Sequence, residues 1–194
     1  LVTDGYNLAY EVTDQGLFDR LVVDVWYNRT RFTGSAQSPW KRQQFPLFFL
    51  WDYEGFTDVD TTSTGFQAAF SWGDRESNEV TAGVDFRYVG QEVNEISSGF
   101  KDFVFFNDVN SPIPQSEWMN PGLFVEHTRA LDDATWLNVG ARVDLTTTDV
   151  TDDPAKLQEL GTRFPQHSLA EILGTDQFEQ NFGTWALYGS LRHE

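Results

Sequence analysis

Three histidines stand in the chain, His127, His167 and His193, and no two share the i, i+4 spacing that sets a pair of imidazoles on one helical face for zinc. They read as dispersed structural or surface residues. Cysteine is absent, which removes disulfides, Cys-ligated zinc and thiol nucleophiles. No GxSxG elbow and no phosphate-cradling glycine loop of the GxGxxG or Walker type occurs. Asp152-Asp153 lacks the ligand spacing of an EF-hand loop and reads as an exposed acidic pair. With no nucleophile–base or acid–base constellation, the expectation is a protein that is not an enzyme, with no catalytic residue, no metal site and no cofactor.

Two groups of functional side chains remain. One is a regularly spaced polar set, Asp24, Asp85, Arg87, Asn138, Arg142 and Asp144. Charge of both signs in a repeating pattern suits mutual salt bridges that hold a wall together, and a charged pore lining is the other reading. The second group is an aromatic and basic segment running from Trp40 to Phe56, with Trp118 further on. Flat rings and a guanidinium hold ligands by stacking, so Trp40, Arg42, Trp51, Tyr53 and Trp118 are the ligand-binding candidates. The same rings would serve to fold the loop onto itself.

The elements that position these groups are written as alternation. Val80, Ala82, Val84, Phe86 and Tyr88 fall on one face, and Thr81, Gly83, Asp85 and Arg87 on the other. This is period two, the strand signature. It recurs in Arg20–Arg31, Gly65–Gly73 and Thr135–Thr146, and more weakly in Gly5–Val12, Pro121–Ala130 and Gly183–Arg192. About seven strands of roughly 9–15 residues follow, longer than the globular mode and matched to a tilted bilayer crossing. Tyr27, Trp72, Tyr88 and Trp136 read as girdle aromatics at a membrane–water boundary.

The connections alternate in length. Asp14–Asp19, Asp74–Asn78 and Leu131–Asp133 are short, whereas Gly34–Ser63, Ile96–Asn120 and Thr147–Asn181 are long. Every second connection of an antiparallel meander lies at one end, so all long loops project together, the polarity of an outer-membrane barrel. Pro154 with AKLQEL, and Ser168 with SLAEIL before Gly174, predict two short helices in the last loop. Composition agrees. The 30 acids against 13 bases leave 13 − 30 = −17, which argues against a nucleic-acid partner. Aromatics at 15% argue against disorder. No apolar run reaches the roughly 18–20 residues of a spanning helix.

Asn120–Leu145 (NPGLFVEHTRALDDATWLNVGARVDL) resembles a hairpin of TonB-dependent outer-membrane receptors. A G-x-F-x-(Q/E) core and a G-x-R-x-D ending recur there, matched by Gly122, Phe124 and Glu126, then Gly140, Arg142 and Asp144. Pro112–Trp118 is similar to the segment before that hairpin, and Val80–Glu95 to the preceding strand. The resemblance covers about Gly5 to Arg192 and rests on strand patterns rather than catalytic signatures. It implies a barrel of about 22 strands with an N-terminal plug. Such a receptor lies in the outer membrane, contacts its lipid, and imports a ferric siderophore, haem, cobalamin or glycan with energy from the TonB complex. Seven strands cannot close that barrel, and no plug or coupling box is visible. Residues 1–194 are therefore read as one all-β segment of the receptor wall, with coupling through parts not in this chain. A small complete barrel of eight strands, or a soluble β-sandwich that binds carbohydrate, are the alternatives. Under the barrel reading, Val84→Arg is expected to harm insertion far more than Asp85→Asn.

Overall fold

The chain is described here by a computed structural model covering residues 1–35, 54–74, 76–101, 104–150 and 174–193. Seven strands follow in order: β1 Val2–Thr13, β2 Arg20–Ser35, β3 Glu54–Asp74, β4 Asn78–Lys101, β5 Val104–Asp132, β6 Thr135–Val150 and β7 Gln180–His193. Each pairs antiparallel with its neighbours in sequence, giving a single sheet of order β1 to β7. The two outer strands are not paired with each other, so the sheet is open and the small closed barrel is not formed. A second sheet, which a sandwich needs, is also absent among the described residues.

The register makes the alternation of the separate strands add up. Leu8, Val25, Phe66, Phe86 and Pro121 share a cross-strand row, and Tyr10, Val23, Ala68, Val84, Leu123, Val143 and Trp185 share the next. One face of the sheet is thus apolar from edge to edge. From Val80 to Tyr88 the band spans about 26 Å along the strand, at roughly 3.3 Å per residue. This face is open: Leu123 is 61% exposed, Val143 51% and Trp185 75%. Among the described residues no large side chain is fully buried. A sheet that shows an apolar face of this size and has no core of its own needs an apolar medium against it.

The short connections lie where the alternation ends. Asp14 (φ 60°) and Gly16 (φ 75°) take left-handed conformations in the β1–β2 turn, and Gly73 (φ 98°) begins the β3–β4 turn. At the opposite end the sequence reading needs one correction. Ile96–Asn120, expected as a long loop, is mostly strand: β4 runs to Lys101 and β5 starts at Val104. The cause is two β-bulges. The partner of Gln91 is Ser116, that of Val93 is Ile113, and that of Glu95 is Asn110, so β5 twice uses three residues against two. Each extra residue sits in a step that contains a proline, Pro114 in the first and Pro112 in the second. Proline has no N–H for the ladder and is accommodated where pairing is already broken. The Gly34–Ser63 loop likewise shortens, because β3 begins at Glu54. The two helices expected around Pro154 and Ser168 lie outside the described residues.

Candidate functional site

The polar face holds the charge network. Asp85 on β4 is 5% exposed and lies between Val84 and Phe86, both on the apolar face. Its partner is two strands away. Arg142 on β6 donates from Nη1 to Asp85 Oδ2 (2.7 Å) and from Nη2 to Asp85 Oδ1 (2.9 Å). The same guanidinium bonds Asp144 through Nε (2.8 and 3.0 Å) and Nη2 (2.5 Å). Such forked charge-assisted bonds are the strong kind. They cross β5 because Gly122 stands directly between Asp85 and Asp144 in the register. A Cβ there would lie 2.4 Å from Arg142 Nη2 and 2.8 Å from Asp144 Oδ1.

Of the polar set expected from the sequence, Asp85, Arg142 and Asp144 therefore come together. The others share the face but not the network. Asn138 donates to Thr128 Oγ1 (3.3 Å), and its own buried Oδ1 has no hydrogen-bond partner. Asp24 is half-buried between Ala9 and Gln67 in the register. Arg87 is exposed, opposite Gly65 and Asn120.

Three more glycines repeat the principle with rings. A Cβ on Gly65 would meet the Trp26 ring at 2.4 Å, on Gly83 the Phe124 ring at 2.4 Å, and on Gly140 the Tyr188 ring at 2.3 Å. In each pair the ring's residue is the direct cross-strand partner of the glycine. The ring lies flat over the bare backbone and covers it. The Tyr188 hydroxyl then reaches past Gly140 to donate to Glu126 on β5. So the residues that carried the resemblance, Gly122, Phe124, Glu126, Gly140, Arg142 and Asp144, all take part in this cross-strand packing.

Three of the four girdle candidates stand at the margins of the apolar band. Tyr27 and Tyr88 close one margin of the apolar band, with Tyr6 beside Tyr27 at a centroid distance of 6.2 Å. Trp72 closes the other margin and donates its indole N–H to Leu17 O at 2.7 Å. Trp136 is a correction. Leu137 is the residue in phase with the apolar face, so Trp136 lies on the polar one. There it donates to Glu76 O (3.2 Å) and carries the Arg192 guanidinium 4.4 Å from its ring centroid.

Of the ligand candidates, Trp40, Arg42, Trp51 and Tyr53 lie outside the described residues. Trp118 is in β5, not in a loop, half-buried on the polar face between Val89 and Thr148. It is diagonal to Arg87, which pairs with Asn120, and Trp26 flanks the same row across Gly65. Two indoles with one exposed guanidinium between them form a surface suited to a planar or anionic molecule. Sequence reasoning missed Arg87 and Trp26 as members of this patch, because only the register brings them beside Trp118. His127 and His193 are engaged by Asn78 Oδ1 (2.7 Å) and Thr135 Oγ1 (3.0 Å), and His167 lies outside the described residues. Among the described residues no group of three His, Cys, Asp or Glu converges as a metal site.

No protein-family model and no curated protein matches the chain. Among solved structures it superposes on the copper transporter OprC with a TM-score of 0.68 at 15% sequence identity. The match covers 99% of this chain and 28% of that one, so the chain spans less than a third of its neighbour's length. What the likeness shows is the fold: the open seven-strand meander is a section of transmembrane β-barrel wall.

Proposed function

We propose that this chain forms part of the wall of an outer-membrane active transporter that imports a scarce nutrient with TonB-coupled energy. The observation that carries the reading is the exposed apolar face, continuous across all seven strands, in a sheet that has no core among the described residues. In a bilayer that face sits in hydrocarbon, while every interior backbone group is satisfied within the ladder. The opposite face then lines the lumen, and its Asp85–Arg142–Asp144 network stiffens the wall. The protein's work is binding and passage rather than covalent chemistry. Trp118, with Arg87 and Trp26, offers a lumenal contact, and Trp40, Arg42, Trp51 and Tyr53 offer contacts from the β2–β3 connection.

The test is uptake by cells carrying the full-length protein, with and without a functional TonB complex. Ferric siderophore, haem, cobalamin and glycan form the panel, with copper added because the structural neighbour transports it. Energy-dependent uptake of one of them supports the reading. A protein that fractionates with the outer membrane but moves none of them, whatever the TonB state, refutes the transport assignment.

A further inference from the structure

The apolar band is five rows deep on β4, from Val80 to Tyr88, and five on β6, from Leu137 to Leu145. On the β1–β2 hairpin it is four, from the Tyr6–Tyr27 pair to Val12–Leu21. Continued in register, the fifth row would set Asp19 beside Trp72 and Asp14 beside Asp19. Two carboxylates would then stand at the edge of the hydrocarbon, where charge is costly. The turn avoids this. Asp14 (φ 60°) and Gly16 (φ 75°) curl the backbone. The Asp19 carboxylate is drawn aside to accept the Gly73 backbone N–H at 2.5 Å. The Leu17 carbonyl accepts the Trp72 indole N–H at 2.7 Å. The Phe18 ring stands edge-on to Phe70, with centroids 5.5 Å apart and planes at 68°. Strict alternation would place Phe18 on the polar face with Arg20 and Val22, whereas Phe70 is on the apolar face. The turn is therefore folded outward over the end of β3.

This folding brings two apolar side chains to the place of the missing row. Phe18 is half-buried against Phe70, and Leu17 is 84% exposed, so almost nothing among the described residues packs against it. A leucine fixed at the margin of an apolar band, continuous with that band, is favoured where the medium that covers the band reaches it. Trp72 sets the depth. A girdle indole ordinarily turns its N–H to the headgroup region. Here that N–H is engaged by the turn, so the turn itself lies at the headgroup boundary. The β3–β4 turn is the contrast. Its Glu76 carbonyl accepts the Trp136 indole from the polar face, and its described residues, Asp74, Glu76 and Ser77, are polar and exposed. One short turn is held against the outward face and is apolar, and its neighbour is held from the other face and is not.

We infer that the β1–β2 turn is a membrane-interface anchor, in which Leu17 and Phe18 enter the acyl-chain boundary of the leaflet at the short-turn end and complete the band where the hairpin is one row short. The inference rests on the membrane-wall reading above. The test uses the full-length protein in phosphatidylcholine vesicles. This chain has no cysteine, so Leu17→Cys carries a polarity-sensitive fluorophore at one site, any cysteine elsewhere being replaced by serine. Quenching is compared between lipids with a nitroxide near the glycerol and lipids with one near the end of the acyl chain. Glu76→Cys is the reference for water, and Leu123→Cys, in the middle row, for the interior of the band. Interfacial apolar groups sit about 5–10 Å deep, so the Leu17 site should be quenched about twofold more by the shallow nitroxide than by the deep one. The Leu123 site should show the reverse, and the Glu76 site should escape both. Leu17→Ser should also lower the folding equilibrium constant in the vesicles about tenfold, as one leucine side chain leaves the apolar medium, and Leu17→Met should keep it. Quenching at the Leu17 site that follows Glu76 or Leu123, or a Leu17→Ser variant as stable as wild type, overturns the anchor. If the Leu123 site also escapes both nitroxides, the membrane-wall reading falls, and the anchor with it.

Discussion

Replacing Gly122 by alanine adds one methyl group at the point where Arg142 crosses β5. That methyl would stand 2.4 Å from Nη2, where ordinary contact begins at 3.4 Å, so the guanidinium must retreat by about 1 Å. Bonds that now measure 2.7 and 2.9 Å to Asp85 then pass beyond hydrogen-bonding range. Asp85, with a side chain only 4% exposed, is left as a buried charge. Breaking such a pair costs about 3–5 kcal/mol in a sealed site. Arg142 is 29% exposed and keeps Asp144, which lowers the figure, and the lost freedom of glycine returns about 0.4–1 kcal/mol. A net destabilisation of about 2–3 kcal/mol is expected. It should be measured by guanidinium unfolding of the protein in lipid vesicles, followed by tryptophan fluorescence. The decisive comparison is the same change in an Arg142→Ala/Asp85→Asn background. The one remaining close atom is then Asp144 Oδ1 at 2.8 Å, which has lost Arg142 and can swing aside, and Gly122 is not among the positive-φ glycines, so alanine should become neutral to stabilising, by up to about 1 kcal/mol. An equal cost in both backgrounds would falsify the idea that Gly122 exists to let Arg142 through.

Three further outcomes follow from the same geometry. Val84→Arg should weaken membrane insertion by about 2–4 kcal/mol, because a charge on the lipid face near the midplane is expensive. Asp85→Asn is a poor comparator, since the structure pairs Asp85 with Arg142; Gln67→Arg on the opposite face should instead be tolerated, and equal damage from both arginines would reverse the face assignment. Tyr188→Phe loses only the bond to Glu126 and should cost about 0.5–1.5 kcal/mol, whereas Tyr188→Ala also uncovers Gly140 and should cost more; equal costs in vesicle unfolding would deny the ring its covering role. In the β5–β6 turn, beyond the apolar band, the Asp132 carboxyl sits below its ordinary 3.8, mainly because the Ala134 backbone N–H donates to it and then because of Thr135. A lowered folded pKa gives stability that is present above 3.8 and fades as pH falls through the folded value. The stability gap between wild type and Asp132→Asn should therefore close on acidification, and a gap that widens would contradict this.

Much of this fold was legible because the two faces of the sheet carry apolar and polar residues in strict alternation. Inside the band each strand obeys period two, so Val80–Tyr88 and Thr135–Thr146 declared their faces. Beyond the band that alternation lapses, and β4 and β5 continue as a polar ribbon that reads as loop. The two bulges deepen the disguise, since each shifts β5 by one residue and exchanges its faces. Trp118 was placed in a loop for this reason. Trp136 was a different failure, of parity alone: the phase of Leu137, Val139 and Ala141 already put it on the polar side. In the candidate site, alternating charge suggested mutual pairing within the six-residue polar set, and Asp85, Arg142 and Asp144 are the members that pair. The reach of Arg142 across β5 was hidden, because it depends on register between three strands.

A wall one sheet thick explains why the glycines matter. A charge such as Asp85 is the immediate chain neighbour of the exposed Val84, and among the described residues no second layer covers the polar face. Its partner must come sideways, along the face. Strands lie about 4.8 Å apart, so a group two strands away has about 10 Å to span. Only a long side chain lying flat can do that, and only if the strand beneath carries no Cβ. Arg142 over Gly122, and the rings of Trp26, Phe124 and Tyr188 over Gly65, Gly83 and Gly140, are four cases of one solution. It closes the polar face without adding thickness. The pattern G-x-F-x-E followed by G-x-R-x-D is therefore a packing code, in which the glycine of one strand is read with the long side chain of another. Every residue in that code packs against another strand, which is why these residues speak clearly for the wall and are silent about function.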